Sequence, residues 1–235
     1  MFPSEIVLIR HQQEESTVRF LGLWVSDTLT YSCHINKLKP KLNSGLYFLA
    51  SSKNNSPLRI MINMYHAVFE SHLRFACEIY GSATEKLLDE LFILQKRAIR
   101  IINNSHYLSH TDPIFLKLKL LKLQDLFIYT RVCLVHKFRL GLLPRSFTRN
   151  YFQYISQEES TRRGDPLSLK VPKPFNKNLL RSPYILICQD WNNLPYEIKI
   201  IPKHNEFKKT VHSYLTSKYT EPCSKLDCKS CPQNK

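Results

Sequence analysis

FILQKRAIRIINNSHYLSHT, running from Phe92 to Thr111, decides how this chain is read. With Leu88 and Leu91 just before it, Phe92, Ala98, Ile99 and Ile102 fall at the spacing that turns one face of a helix into a core. Lys96 and Arg100 lie one turn apart with Arg97 beside them, so three cations project from a neighbouring face. Such a face also suits an ordinary solvated helix. Glu85, Asp89 and Glu90 near the start and the cations near the end match the helix dipole, so part of the charge has a structural reason.

Working outward, Thr84 opens this helix. Upstream, Ser56-Pro57 reads as a capping serine and a first-turn proline, starting a helix from Leu58 to about Cys77. Tyr31 to Ala50 is predicted helical, with Pro40 marking a break or kink. Two short strands are expected before it, EIVLIR (5 to 10) and VRFLGLWV (18 to 25). Downstream, Asp112-Pro113 repeats the cap-plus-proline start, and a helix from Gln124 to about Leu140 stops at Gly141. From Pro144 to Pro202 prolines recur and periodicity is poor, which predicts an irregular, extended layer. A last helix is expected near Asn205 to Tyr219, with Phe207, Val211, Tyr214 and Leu215 on one face and Lys208 and Lys209 on another. The fold class is therefore mainly α: a short N-terminal β-hairpin, a helical bundle, and an irregular proline-rich layer with a C-terminal helix. The expected divisions are 1–33, 34–143, 144–219 and a flexible tail at 220–235.

Composition narrows the function. The 235 residues are 43% hydrophobic, enough for one large or two small cores, while 5 glycines argue against a turn-rich β fold. No apolar run approaches the ~20 residues of a membrane span. The start, MFPSEIVLIRHQQEES, has no signal-peptide pattern, and seven cysteines, an odd number, suit a reducing compartment. An intracellular protein, nuclear or cytoplasmic, is expected. Net charge is +15, of which residues 106–235 carry +12 and residues 1–105 only +3. A half this basic attracts polyanions, RNA or DNA first among them; an acidic protein partner or simple solubility are the other readings.

FLGLWVSDTLTYSCHINKL (20 to 38), LQKRAIRII (94 to 102), the HTDP element at 110 to 113, Thr161-Arg162, WNNLPYEI (191 to 198) and Phe207-Lys208 occur in an order that resembles the C-terminal part of a LINE-type, jockey-like non-LTR retrotransposon reverse transcriptase. The resemblance runs from about Glu5 to Tyr219. It implies that Phe20, Leu21 and Gly22 form a primer-grip-like hairpin at the end of the palm, and that 94 to 102 and the helix around Tyr129 to Phe138 belong to a thumb-like region. It implies binding of RNA or an RNA–DNA hybrid, without a membrane or a small-molecule substrate. Lys96, Arg97, Arg100, Arg139, Arg149, Lys208 and Lys209 are the candidate phosphate contacts. Such a polymerase holds magnesium on palm aspartates, in part from an Asp-Asp pair, and no Asp-Asp pair occurs in these residues. The chain is thus expected to be a catalytically incomplete fragment, inactive by itself, with a separate polymerase palm as one candidate partner. The alternative is a non-binding remnant or protein-interaction module with exposed apolar faces.

Two further patterns carry chemistry. Cys223, Cys228 and Cys231 have zinc-like spacing, but a structural site wants four ligands, so His212 or His204 would have to supply the fourth; an unstructured reduced tail is the other reading. His110-Thr111-Asp112 formally matches the His-x-Asp of iron(II)-dependent oxygenases, a remote alternative, since Asp112 is explained as a helix cap at Pro113 and no jelly-roll strand series surrounds it. Aromatic residues interleave with cations at Phe138-Arg139, 147–152 and 174–177, which suits base stacking or anchoring to a core. Phosphate-binding glycine loops, G-x-S-x-G and H-E-x-x-H are absent.

Overall fold

A computed structural model describes residues 17–144, 151–155, 165–174 and 180–220. The chain divides into two compact units, Met1–Tyr107 and Leu108–Lys235, a boundary that falls inside the expected 34–143 segment. The structure is mainly helical with one two-stranded hairpin.

In the first unit VRFLGLWV folds back on itself instead of forming one strand. Strands β1 (Thr17–Phe20) and β2 (Leu23–Ser26) pair antiparallel, Arg19 opposite Trp24 and Phe20 opposite Leu23. The two-residue turn between them, Leu21-Gly22, has φ values of 47° and 91°. Positive φ at both central residues is what a twist-matched hairpin turn requires, and Gly22 supplies it without a Cβ penalty. Residues 5–10, the other expected strand, lie outside the described residues.

Helix α1 (Ser32–Ser52) buries Ile35, Leu38, Leu42, Gly45 and Leu49, a 3–4 spacing that makes one stripe. Pro40 lies within it, on the exposed side, where water can satisfy the Asn36 carbonyl that Pro40 leaves without a donor. Helix α2 (Leu58–Tyr65) starts at the expected residue, but Pro57, not Ser56, takes the cap position, in extended conformation, and no side chain caps it. The expected helix to Cys77 is also interrupted. A π turn at His66–Glu70 leads into α3 (Ser71–Arg74), and Ala76, at φ 54°, separates it from α4 (Cys77–Tyr80). The π turn brings its backbone against α1: a Cβ on Gly45 would stand 2.8 Å from the Val68 carbonyl oxygen.

Helix α5 (Glu85–Ile102) packs along α1 and buries Leu88, Leu91, Leu94, Ala98, Ile99 and Ile102. Phe92 is only half-buried, and Gln95 takes a core place instead. Gln95 can do so because its Nε2 donates to the Tyr65 hydroxyl at 2.9 Å, which offsets the cost of burying an amide.

The second unit contains α6 (Asp112–Leu118), α7 (Leu123–Arg139), α8 (Pro183–Asn192), α9 (Tyr196–Lys199) and α10 (His204–Ser217), with a closing 3-10 turn at Lys218–Thr220. Thr111, not Asp112, occupies the cap position of α6, and Asp112 sits in its first turn. The region expected to be irregular is so only in part. Tyr154 and Leu169 form an isolated antiparallel bridge, but Tyr184–Cys188 is helical. Ser182 caps α8 by accepting from the Ile185 N–H at 3.4 Å, and Pro183 takes the first turn, the same cap-plus-proline signal met elsewhere in this chain. Trp191 is fully buried and its indole N–H donates to the Leu167 carbonyl at 2.7 Å. Asn192 pairs with both backbone groups of Leu169, at 2.7 and 2.9 Å. The Trp-Asn-Asn-Leu-Pro segment therefore fastens the extended strip to the helices. Among the described residues no helix is long and apolar enough to cross a membrane.

Candidate nucleic-acid interface

The hairpin tip opens onto a groove of about 410 Å³ in the first unit. Its walls come from three places: Arg19, Leu21, Gly22 and Trp24 on the hairpin, His34, Lys37 and Lys41 on α1, and Phe75 after α3. His34, Lys37 and Lys41 share a face because they are spaced three and four residues apart on one helix. Gly22 allows close seating, since a Cβ there would lie 3.2 Å from the Phe75 ring. Leu21 is 83% exposed at the tip and Phe20 is exposed beside it.

The groove is positively charged. Among the described residues no carboxylate lines it, and Arg19, Lys37 and Lys41 form no ion pair. The Lys37 ammonium lies 3.9 Å from the Trp24 ring centroid, a cation–π contact that holds the charge at the rim. His34 stacks at a tilt on Tyr80, centroids 5.1 Å apart, and both of its ring nitrogens are buried without a hydrogen-bond partner among the described residues. Burial, and then the Lys41 charge, lower its pKa, which favours a neutral ring.

The residues singled out from sequence are placed as follows. Phe20, Leu21 and Gly22 form the end of β1 and the turn beside the groove. Lys96, Arg97 and Arg100 share α5 but do not line this groove. Arg97 is exposed; the Lys96 ammonium lies 4.3 Å from the Phe92 ring centroid; burial and then Arg97 draw the Arg100 pKa down from its ordinary value. Arg139 donates to the Lys199 carbonyl, capping the end of α9. Lys208 and Lys209 are exposed on α10 and line a different groove, in the second unit. Arg149, Cys223, Cys228 and Cys231, together with Thr161-Arg162, lie outside the described residues.

His110 and Asp112 are 3.9 Å apart, and Asp112 is engaged by the Lys122 ammonium at 3.0 Å. Among the described residues no three His, Cys, Asp or Glu side chains converge as a metal site. His204, one of the two candidates for a fourth zinc ligand, is instead paired with His136. Sequence reasoning missed Arg19, Trp24, His34, Lys37 and Lys41. The signal was present in HINKLKPK, whose cations recur on one helix face, but only the hairpin's return across α1 joins them to Arg19 and Trp24.

The chain is similar in sequence to RNA-directed DNA polymerases from the jockey mobile element and the X-element transposon. It is 27% identical over 145 residues to the RNA-directed DNA polymerase from mobile element jockey of Drosophila melanogaster, covering 60% of this chain and 15% of that protein. It is 21% identical over 115 residues to the probable RNA-directed DNA polymerase from transposon X-element of the same organism, covering 48% and 13%. The jockey polymerase of Drosophila funebris is 25% identical over 121 residues, covering 50% and 13%. The chain thus spans about a seventh of the length of the curated relatives it matches. No family model matches the chain, and no solved structure matches it.

Proposed function

We propose that this chain binds an RNA–DNA hybrid or structured RNA through phosphates at the hairpin groove and does not polymerise by itself. The observation that carries the reading is the cluster of Arg19, Lys37 and Lys41, unpaired among the described residues, beside the Leu21-Gly22 turn. Clustered cations without carboxylates attract phosphates, and Trp24 adds a face on which a base or sugar can rest. Lys96, Arg97 and Arg100 extend the contact along the helical region. The relatives are named for RNA-directed DNA polymerisation, an activity that needs metal-holding aspartates; a separate palm would supply them. The second reading, a protein-interaction module, draws on the exposure of Phe20, Leu21, Tyr47 and Phe48.

The test is fluorescence anisotropy with a primer–template hybrid and a matched DNA duplex over a salt series. Arg19→Ala/Lys37→Ala/Lys41→Ala is expected to flatten the salt dependence by roughly one unit per lost phosphate contact. An unchanged slope removes this groove from the interface.

A further inference from the structure

The second unit holds a larger groove, of about 820 Å³, that no part of the hairpin reading uses. Three stretches distant in sequence build it: Lys119 at the end of α6, Tyr129 on α7, and Asn205, Lys208, Lys209 and His212 on α10. Among the described residues no carboxylate lines it, and none of its three lysine ammonium groups makes an ion pair or hydrogen bond. Other lysines of this unit behave differently: Lys122 pairs with Asp112 at 3.0 Å and Lys199 with Asp165 at 2.6 Å. Neither carboxylate lines the groove.

Its geometry suits an extended anion. The volume is several times what one phosphate needs and falls within the roughly 300–1,000 Å³ of ordinary ligand clefts. The Asn205 amide and the Ser213 hydroxyl make no hydrogen bond among the described residues, so both are available to phosphate or sugar oxygens. Lys119 is in the left-handed region, φ 53°, where its N–H donates to the Leu116 carbonyl while the Leu120 N–H reaches Phe115. This helix-ending turn places a cation on the lining that also holds Lys208 and Lys209, at a position more often given to glycine or asparagine.

We infer that this groove is a second nucleic-acid site, which takes the sugar–phosphate backbone of a single strand on Lys119, Lys208 and Lys209. It is independent of the hairpin groove, and each site can fail without the other.

The experiment titrates the full chain with a short fluorescein-labelled single-stranded RNA over a salt series. Lys119→Asn/Lys208→Gln/Lys209→Gln removes three charges from exposed positions, and asparagine tolerates the left-handed backbone. The slope of log K against log salt is expected to fall by roughly two, at about 0.7 per phosphate on a single strand, with an unchanged melting curve. A control, Lys53→Gln/Lys86→Gln/Lys173→Gln, loses the same net charge elsewhere and is expected to keep the slope. An unchanged slope in the first variant, or an equal fall in the control, overturns the proposal. So does binding of phosphatidylserine vesicles that the first variant loses while its RNA binding persists. If Arg19→Ala/Lys37→Ala/Lys41→Ala alone abolishes all RNA binding, the second groove holds no strand by itself and the proposal fails. Failure of the hairpin reading shows separately, as an unchanged slope in that variant.

Discussion

His136 Nδ1 lies 3.1 Å from His204 Nδ1, a contact that requires at least one of the facing nitrogens to be without a proton. His136 Nε2 donates to the Ile201 carbonyl at 2.8 Å, so in the neutral ring Nδ1 is the acceptor and His204 the donor. The stacked Phe207 ring, 3.9 Å away, completes a mostly apolar setting. Burial lowers the His136 pKa, opposed by the Ile201 carbonyl and assisted by Arg139. Burial lowers that of His204, followed by His136, Lys137 and Lys208.

Both folded pKa values thus lie below the ordinary 6.5. Below that pH the unfolded chain binds more protons than the folded one, so stability is full above it and is lost as pH falls. The melting temperature is expected to drop between about pH 7 and 5. Melting curves of His204→Gln should show a shallower pH dependence; an identical profile would acquit the pair.

Lys199 is 1% exposed, and its ammonium donates to Asp165 at 2.6 Å and to the Asn192 carbonyl at 3.1 Å. Removing one partner of a buried pair strands the other groups, so Lys199→Ala should cost about 3 kcal/mol. Trp191→Ala, which empties the adjacent core and frees the Leu167 carbonyl, should cost about 3–5 kcal/mol. Urea titration of both variants measures these losses.

Gly45→Ala sets two effects against each other. Alanine gains about 1 kcal/mol of helix propensity. Its Cβ, however, would sit 2.8 Å from the Val68 oxygen, and backbone in a packed π turn yields little. Overpacking of this kind costs about 1–3 kcal/mol, so net destabilisation is expected. A thermal melt that rises instead would show that the π turn gives way freely.

On α5 the cations can be separated by burial. Arg97 is exposed and Lys96 leans on Phe92, so Arg97→Ala should weaken hybrid binding with little change in melting temperature. Lys96→Ala should also lose a cation–π contact of about 0.5–1 kcal/mol. Binding that survives loss of Lys96, Arg97 and Arg100 together, with an unchanged salt slope, would leave these residues as a solvated face.

Gly22→Ala should open the hairpin tip, because φ +91° strains any other residue and the new Cβ presses on Phe75 at 3.2 Å. Weaker hybrid binding with an intact helical circular dichroism spectrum is the expected result. Unaltered affinity would mean that the tip does not shape the interface.

Local pattern determined much of this protein. The apolar spacing of Leu88 to Ile102 and the proline in the first turn of α6 depend on near neighbours, so they are written in consecutive residues. The helix at Pro183–Asn192 was equally written, in Ser182-Pro183, but recurrent prolines masked it. Tertiary structure alone decided the rest. Gln95 is a core residue only because Tyr65 offers a hydroxyl from thirty positions away. Arg19 meets Lys37 and Lys41 only because the hairpin folds across α1, and Lys119 meets Lys208 and Lys209 only because α6 and α10 frame one groove. Charge and periodicity are properties of neighbours along the chain. Which cations share a cavity, and which are neutralised by a buried carboxylate, depends on contacts between distant segments, and these become definite only when the core has packed.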